Sequence, residues 1–309
     1  MKTKKKTKAL VLLSGGLDSL LSCKILQEQL GKKNVEAIFF ILPFVKNLFE
    51  NKNSTFQFCQ KEGIKLHIVD VTKGKLFKEY LKIIKKPKFL RGTALNPCID
   101  CHIFMLKKAK DLAEKNNINI IATGEVLGER PLSQNKKALL LIEKEAGLKG
   151  KLLRPLSAKL LPETLAEKNG LIDRNKLLDI QGRQRKIQIK LAKKYKISFP
   201  SPAGGCLLCE KEYCKKLKLL LEKKNLCYED IKLLSVGRHF EESQIILGKN
   251  KEENMLLEKE KGLKILPDKP GPTALIRAWK DNEEELIKKA KELIQGYSKH
   301  KINEFKIKK

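Results

Sequence analysis

The stretch Ala9-Leu-Val-Leu-Leu-Ser-Gly-Gly-Leu-Asp-Ser19 decides the fold of this chain, because its apolar run ends abruptly in a Gly-Gly turn. Residues 11–13 are predicted to form a buried strand, and the leucines from Leu17 onward are predicted to form the apolar face of a helix. A helix that begins directly after a glycine turn directs free N–H groups and a partial positive charge at an anion. The stretch therefore predicts a phosphate-binding turn between a strand and a helix.

Gly-Gly alone would favour a plain strand–turn–helix corner, but the complete hexamer Ser14–Ser19 reverses that preference. The hexamer lacks the lysine of a Walker motif and the spacing of a Rossmann G-x-G-x-x-G motif. It resembles the PP-loop of the ATP pyrophosphatase superfamily, whose members adenylylate a carbonyl oxygen with ATP, release pyrophosphate and let a nucleophile displace AMP. Asp18 suits Mg²⁺ better than phosphate. The resemblance implies that ATP and Mg²⁺ are bound by Ser14, Gly15, Gly16, Asp18 and Ser19.

Composition indicates a globular protein of 309 residues, long enough for one large and one smaller domain. Hydrophobic residues make up 41% of the chain, and no apolar run approaches the roughly 20 residues that a membrane span needs. The basic start, Met1–Lys8, is followed by too few apolar residues for a signal peptide. We therefore expect a cytoplasmic protein that does not span a membrane.

The net charge of +30, from 66 Lys and Arg against 36 Asp and Glu, predicts a polyanionic partner, and RNA is the first candidate. A lysine-rich surface without a partner is the alternative explanation. Aromatic residues are only 6% of the chain, so the sequence does not indicate a platform for stacking bases.

Predicted strands alternate with predicted helices over the first two thirds of the chain. Such alternation predicts an α/β fold, an open and mostly parallel sheet with helices on both faces, with ligands at the carboxyl ends of the strands. Phe40 lies near the end of the apolar strand 34–42, and Gly124 follows the strand 118–122. Arg154 ends a further short strand, where an arginine suits phosphate. We therefore expect Phe40, Gly124 and Arg154 to contact the nucleotide.

Two domains are predicted, residues 1–215 and residues 216–309. Helical patterning is expected to dominate residues 162–196, with interruptions near Gly170 and Gly182. The second domain is predicted to be a small α+β domain with a final helix near 283–295, and its last dozen residues are polar and are expected to be disordered. Two of its segments, Val236–Phe240 and Ile246–Asn254, faintly resemble an RNA-binding domain of ribosome quality-control proteins; the alternative is a small scaffold domain.

Eight cysteines in a reducing compartment indicate metal or sulfur chemistry rather than disulfides. Cys98-x-x-Cys101 is predicted to open a helix, where thiols ionise more easily. Cys206-x-x-Cys209 lies in a segment broken by proline and glycine. The spacing is compatible with a zinc cage of both pairs, with an iron–sulfur cluster, and with persulfide transfer through a transient disulfide.

Four segments in order resemble the tRNA-thiolating branch of PP-loop enzymes, the 2-thiouridylase-like and 4-thiouridine synthetase-related proteins: Asn96–His102, Ala122–Gln134, Arg154–Ala158 and Ser201–Leu208. The catalytic cysteines of 2-thiouridylases fall on Cys101 and Cys206. Cys98 stands where those enzymes have aspartate, an arrangement that resembles instead the thiolases in which three cysteines hold a 4Fe-4S cluster with one open iron. This implies Cys98, Cys101 and Cys206 as ligands. Cys209 is left out, because related sequences have threonine there.

The resemblance implies an adenine nucleotide alpha hydrolase-like fold and an ATP-dependent tRNA sulfurtransferase. Asp18, Cys101 and Cys206 would be its catalytic residues, and ATP, Mg²⁺ and a 4Fe-4S cluster its cofactors, with Zn²⁺ as the alternative to the cluster. Expected partners are tRNA and a sulfur donor, either sulfide or a persulfide carrier protein, and a homodimer is compatible with the sequence. The alternatives are a PP-loop ligase or amidase with a structural zinc site, and a non-catalytic RNA-binding sulfur carrier.

Overall fold

The computed structural model describes residues 7–46, 48–89, 94–199 and 205–309, and it divides the chain after Cys209. The first unit is Met1–Cys209 and the second is Glu210–Lys309, whereas the sequence predicts a boundary after residue 215. Parts of two predicted loops, Arg91–Gly92 before Cys98 and Ser201–Gly204 before Cys206, lie outside the described residues.

A parallel sheet of five strands forms the centre of the first unit, in the order β3-β2-β1-β4-β5. The strands are β1 (Ala9–Leu13), β2 (Val35–Ile41), β3 (Lys65–Asp70), β4 (Ile120–Thr123) and β5 (Leu152–Leu153). The predicted open parallel sheet is therefore confirmed. The strand order reverses at β1, which pairs with β2 on one side and with β4 on the other. A crevice at the carboxyl ends of β1 and β4 is the usual ligand site of such a sheet.

Seven helices flank this sheet in the described part of the first unit. They are α1 (Leu17–Leu30), α2 (Leu48–Glu62), α3 (Gly74–Lys85), α4 (Cys98–Lys115), α5 (Lys136–Glu145), α6 (Leu165–Lys168) and α7 (Lys186–Tyr195). The expectation that helix dominates residues 162–196 is wrong, since only the short α6, a 3-10 turn and α7 form there. The predicted interruptions lie at Gly170 and Gly182, which adopt φ angles of +67° and +81° outside the helices. No helix of the described residues is both long enough and apolar enough to span a membrane.

The apolar core of the first unit fixes α1 in place. Alternate residues of β1, such as Val11 and Leu13, are buried together with Leu20 of α1. Helix α7 packs on the far side of α1 and adds Ala192 to the same core. Each fully buried leucine contributes about 1.5–3 kcal/mol. The turn between β1 and α1 is consequently held at both of its ends.

An antiparallel sheet in the order β10-β8-β9-β7-β6 forms the second unit. Its strands are β6 (Arg238–Phe240), β7 (Ile245–Leu247), β8 (Leu263–Pro267), β9 (Ala274–Ile276) and β10 (Phe305–Lys308), and its helices are α8 (Lys211–Leu220), α9 (Tyr228–Leu233), α10 (Lys251–Lys259) and α11 (Glu283–Tyr297). Ile245 and Leu247 pack against α11, whereas Ile246 packs with Leu257 of α10, so helices cover both faces. The predicted small α+β region is confirmed.

The expected disorder of the last dozen residues is wrong. Residues 305–308 form β10, which pairs antiparallel with β8. Phe305 packs against the core of the second unit. The sequence pattern of this segment is polar because most of its side chains are exposed, while its order comes from backbone hydrogen bonds to a strand some forty residues earlier.

The end of β4 packs directly against the start of α1 through Gly124. A Cβ atom on Gly124 would lie 2.5 Å from the backbone nitrogen of Ser19 and 2.6 Å from its Cα atom. Real Cβ atoms do not approach backbone that closely, so α1 and β4 reach this separation only because residue 124 is glycine.

Gly124→Ala is therefore expected to lower the free energy of unfolding of the first unit by about 1–3 kcal/mol, because the backbone must shift to admit the methyl group. Urea unfolding, monitored by far-ultraviolet circular dichroism, measures this loss. Gly296→Ala is the matched control, since a Cβ atom in α11 there meets nothing within 4 Å. That substitution is expected to add up to about 1 kcal/mol of stability, and equal effects of the two substitutions would contradict the close packing at Gly124.

Candidate active site

The turn after β1 folds around the hydroxyl group of Ser19. This oxygen accepts a hydrogen bond from the N–H group of Ser14 at 3.1 Å and donates one to the carbonyl oxygen of Gly16 at 2.8 Å. Gly15 has a φ angle of +78°, and a Cβ atom on it would lie 2.3 Å from the carbonyl oxygen of Asn51 in α2. Helix α1 begins directly after Gly16 without a side-chain cap from the described residues. N–H groups of its first turn therefore remain available to an anion.

Asp18 lies in the first turn of α1 with one carboxylate oxygen unpaired. Its side chain is 13% exposed, and its Oδ1 atom has no hydrogen-bond partner among the described residues. The Nη2 atom of Arg185 lies 3.7 Å from Asp18 Oδ2 and 2.7 Å from Glu129 Oε1. Burial, and then the charge of Glu129, raise the pKa of Asp18 to about 6, although Arg185 opposes them. An unpaired carboxylate oxygen next to a phosphate-binding turn fits the Mg²⁺ ion of MgATP.

A cavity of about 430 Å³ opens at the carboxyl ends of β1, β2 and β4. All but two of the residues predicted to form the site line this cavity. The residues that do are Ser14, Gly16, Asp18, Ser19, Phe40, Cys98, Cys101, Gly124 and Cys206. Gly15 lies against α2 instead, where it shapes the turn. The structure thus brings the phosphate-binding turn and the predicted cysteines to one cavity.

The expected contact between Arg154 and the nucleotide is wrong. The side chain of Arg154 is 2% exposed, and its guanidinium donates to Glu125 Oε2 at 2.9 Å, to Glu143 Oε2 at 3.2 Å and to the carbonyl oxygen of Leu139 at 3.1 Å. It borders a different, more apolar cavity of about 560 Å³ beside α5, which contains none of the other predicted site residues. Arg154 is therefore already engaged by two buried carboxylates.

Glu125 links Arg154 to the wall of the 430 Å³ cavity, which Glu125 lines. Its Oε1 atom lies 2.8 Å from Nδ1 of His102, and its Oε2 atom accepts a hydrogen bond from the hydroxyl group of Thr123 at 2.9 Å. Burial alone would raise the pKa of Glu125, but Arg154 and His102 outweigh it and lower that pKa to about 2. The carboxylate thus stays ionised and orients His102 beside Cys101.

The two cysteine pairs meet although about a hundred residues separate them in the sequence. Helix α4 begins at Cys98, as predicted, so Cys98 and Cys101 lie one turn apart. The second pair is tied to the same edge of the sheet by a β-bridge between Val45 and Cys206. The N–H group of Asn96 also donates to the carbonyl oxygen of Leu208 at 3.0 Å. Backbone contacts, rather than the thiols themselves, hold the pairs together.

Cys209 belongs to this group of thiols, although sequence reasoning set it aside. Its thiol interacts electrostatically with those of Cys206 and Cys98. The interactions with these two thiols, and then the positive charge of Arg130, hold the pKa of Cys209 well below its usual range. The interaction with Cys209, and then burial, raise the pKa of Cys98 and of Cys206. The spacing Cys206-x-x-Cys209 was the signal in the sequence that could have included Cys209 in this group. Cys209 is therefore the thiol of this group that ionises most easily.

Cys101 has a different partner, the hydroxyl group of Tyr80, which lies 3.1 Å from its Sγ atom. Burial raises the pKa of Cys101 to about 11, although Tyr80 opposes this shift. Thiols are the donors that zinc and iron–sulfur clusters use, so the chemistry of these side chains fits such a group. Within the described ranges, however, no three His, Cys, Asp or Glu side chains are grouped so that they could hold a single metal ion.

We expect iodoacetamide at pH 6 to alkylate Cys209 before Cys98 and Cys206, because the thiolate is the reacting form and Cys209 is exposed. Peptide mapping by mass spectrometry gives the order of labelling. Arg130→Gln should slow the labelling of Cys209, and buried Cys23 should remain unlabelled in both proteins. Equal labelling of Cys206 and Cys209 would show that the contact does not favour the Cys209 thiolate.

Asp18→Asn is expected to raise the free energy of unfolding at pH 7 by up to about 3 kcal/mol, since the pKa of Asp18 lies about two units above its ordinary value. A raised carboxyl pKa means that the folded state loses stability as the pH rises from about 4 to about 6, so the difference should vanish near pH 4. Urea unfolding at several pH values measures it.

Asp70→Asn is the contrasting control. Burial would raise the pKa of Asp70, but hydrogen bonds from Thr72 outweigh it and lower that pKa. This substitution should therefore reduce the free energy of unfolding at pH 7. A loss of stability in Asp18→Asn as well would contradict the unfavourable burial of Asp18.

The family model for NAD synthase, a PP-loop family, matches residues 1–96 of the chain. This segment contains the turn Ser14–Ser19 and strands β1 to β3. No curated protein sequence matches the chain significantly.

Several solved structures are similar to the chain at low identity. The U34-tRNA thiolase NcsA from Methanococcus maripaludis, with its 4Fe-4S cluster, is 19% identical with a TM-score of 0.37, over 64% of this chain and 61% of that one. The NH3-dependent NAD synthetase from Campylobacter jejuni, in complex with nitrate, is 17% identical with a TM-score of 0.37, over 76% and 80%. A 4-thiouridine synthetase in complex with RNA and ATP is 21% identical with a TM-score of 0.36, over 62% and 50%.

The chain thus spans less than two thirds of the length of both thiolating enzymes. The match to the family model covers a shorter part of the chain, but that part contains the turn on which the predicted resemblance to PP-loop enzymes rests. Over residues 1–96, the chain is similar to NAD synthases, and its resemblance to PP-loop enzymes is confirmed there.

Proposed function

We propose that this chain is an ATP-dependent tRNA sulfurtransferase, which adenylylates a carbonyl oxygen of a pyrimidine in tRNA and replaces that oxygen with sulfur. One observation carries the proposal: a single cavity is lined both by the phosphate-binding turn and by Cys98, Cys101, Cys206 and Cys209. ATP chemistry with an amine nucleophile has no need of thiols at this place. Sulfur chemistry needs them next to the activated carbon.

The residues of the turn support the first half of this reaction. N–H groups at Ser14–Ser19 would bind the phosphates, while Asp18 and Glu129 would hold the Mg²⁺ ion of MgATP. The carbonyl oxygen of the pyrimidine attacks the α-phosphorus, and pyrophosphate leaves. That oxygen then belongs to a good leaving group, so hydrosulfide can attack the ring carbon while AMP departs with the oxygen.

The thiols support the second half. We propose Cys98, Cys101 and Cys206 as the ligands of a 4Fe-4S cluster, with Cys101 and Cys206 nearest to catalysis. When bound, such a cluster supplies an iron with an open coordination position that can hold sulfide. The chain itself contributes Tyr80, which is hydrogen-bonded to Cys101, and His102, which Glu125 orients at the wall of the cavity. A persulfide on Cys101 or Cys206 is the alternative without iron.

A second candidate function, an ammonia-dependent PP-loop ligase, is favoured by the match of residues 1–96 to the NAD synthase family model. In that case ammonia would displace AMP from an adenylylated carboxylate, and the thiols would hold a structural zinc ion. The two functions therefore differ in the nucleophile and in the acceptor, not in the use of ATP.

Protein purified without oxygen is expected to form AMP and pyrophosphate only when ATP and unmodified tRNA are both present, and to thiolate the tRNA once sulfide is added. Nucleoside mass spectrometry should then detect a thiopyrimidine. Ser14→Ala and Asp18→Ala should each lower the rate of pyrophosphate release at least about tenfold, since one lost hydrogen bond to a charged group is worth about 1.5–3 kcal/mol. AMP formation with ammonia and a carboxylate, but not with tRNA, would replace this proposal with the ligase.

Cysteine variants test the sulfur half separately. Cys98→Ala, Cys101→Ala and Cys206→Ala should each lose iron and thiolation together while pyrophosphate release continues, whereas Cys209→Ala and the control Cys214→Ala should lose neither. Full thiolation by Cys98→Ala without iron would favour the persulfide route. Unfolding of Cys209→Ala to the same extent as Cys98→Ala, with bound zinc in the unsubstituted protein, would favour a structural zinc cage.

A further inference from the structure

Helix α7 and the residues before it form the most strongly basic segment of the described chain. Residues 183–196 contain seven Lys and Arg and no Asp or Glu. All of these cations except Arg185 are exposed, and none of the exposed ones forms an ion pair with a described residue. An array of unpaired cations repels itself, so its presence without acidic neighbours calls for an anionic partner.

The lysines of α7 lie along one face of the helix. Lys186, Lys190 and Lys194 follow each other at intervals of four residues, and we call these three the lysine stripe. The opposite face, with Gln188 and Ala192, is buried against the first unit. At a rise of about 1.5 Å per residue the stripe extends about 12 Å, which is the length of two or three nucleotide steps of an RNA backbone.

The lysine stripe starts beside the candidate active site. Arg185 immediately precedes α7, lines the 430 Å³ cavity and contacts both Asp18 and Glu129. A line of cations therefore leads from the ATP end of the cavity outward along the helix. A long polyanion whose reactive group enters the cavity would meet this line first.

The surface around the stripe suits a sugar–phosphate backbone rather than unstacked bases. Ile187 and Ile189 are 51% and 42% exposed beside the lysines, and they offer apolar contact to ribose. Tyr195, the only aromatic residue within α7, is half-buried and hydrogen-bonded to Glu28 on α1. Contacts of this kind position an RNA without reading its sequence.

The distribution of charge also places the polyanion on the first unit. Residues 1–209 carry 42 Lys and Arg against 18 Asp and Glu, whereas residues 210–309 carry 24 against 18. Most of the +30 net charge thus belongs to the unit that contains the stripe and the cavity. The second unit, with its near balance of charges, is the weaker candidate for long-range attraction.

We infer that the lysine stripe binds the sugar–phosphate backbone of tRNA and holds it so that the target pyrimidine reaches the cavity. This inference rests on the proposed function, because it takes tRNA as the substrate. An acidic protein docking on the same lysines is the other partner that their charge would fit, and unchanged tRNA binding by the variant described below would favour it.

The test is a triple variant, Lys186→Gln, Lys190→Gln and Lys194→Gln, in the full chain. Affinity for unmodified tRNA is measured by fluorescence anisotropy between 50 and 300 mM KCl. Each phosphate contact contributes about 0.7–0.9 to the slope of log K against log salt, so three lost contacts should reduce the slope by about 2 to 3. At about 0.1 M salt we expect tRNA to bind at least ten times more weakly.

The matched control is Lys75→Gln, Lys78→Gln and Lys82→Gln in α3, which removes the same charge from three exposed lysines on one face of another helix. That face also carries Glu79, whose charge interacts with Lys75 and Lys82. The slope of the control should change by less than one. Equal losses of tRNA affinity in both triple variants would mean that the stripe acts only through the net charge of the chain, and this would overturn the inference.

Two further outcomes separate this inference from the proposed function. If the unsubstituted chain binds tRNA with a steep salt dependence and the α7 variant binds it equally well, the inference is wrong and the proposed function stands. If the unsubstituted chain shows no salt-dependent binding of tRNA, the proposed function itself fails. Thermal unfolding and MgATP affinity of both variants serve as the check that the fold is intact.

Discussion

The contact between Gly124 and Ser19 is the constraint on which the candidate active site depends. Strands β1 and β4 pair over four residues, and the chain leaves β4 so close to α1 that no side chain fits between them. On its other side the turn is held by Gly15 against Asn51 of α2. Two glycines thus clamp the phosphate-binding turn from both sides through backbone alone. Its N–H groups are preorganised, and an anion that binds there does not have to order them.

A second constraint on the site is the buried Arg154, which the sequence analysis assigned to phosphate binding. Arg154 sits between Glu125 and Glu143 and so connects β4, α5 and, through His102, α4. Removal of one partner from a buried ionic group costs about 3–5 kcal/mol, since the remaining charges stay buried without compensation. Arg154 therefore acts on the site by positioning Glu125. Glu125 in turn orients His102, which lies next to Cys101 on the wall of the cavity.

The sequence predicted those parts that depend on local pattern, and it was wrong where distant partners decide. The alternation of apolar strands with helices was sufficient for the parallel sheet, and the hexamer Ser14–Ser19 was sufficient for its turn. The position of Arg154 at a strand end was read correctly, but not the direction of its side chain, because Glu143 lies on another element. Strand β10 was missed because its partner β8 is remote. Cys209 was set aside on resemblance, whereas its interaction with Cys98 depends on the fold.

The position of β4 has a consequence for the segment that matches the NAD synthase family. That segment, residues 1–96, contains β1, β2 and β3 but ends before β4. Separated from the rest of the chain, it would present β1 as an edge strand with a row of unpaired N–H and C=O groups and an uncovered apolar face. Such an edge recruits other strands, so the isolated segment would associate with itself instead of forming a nucleotide-binding module. The similarity to NAD synthases thus covers a stretch of sequence that is not an autonomous folding unit.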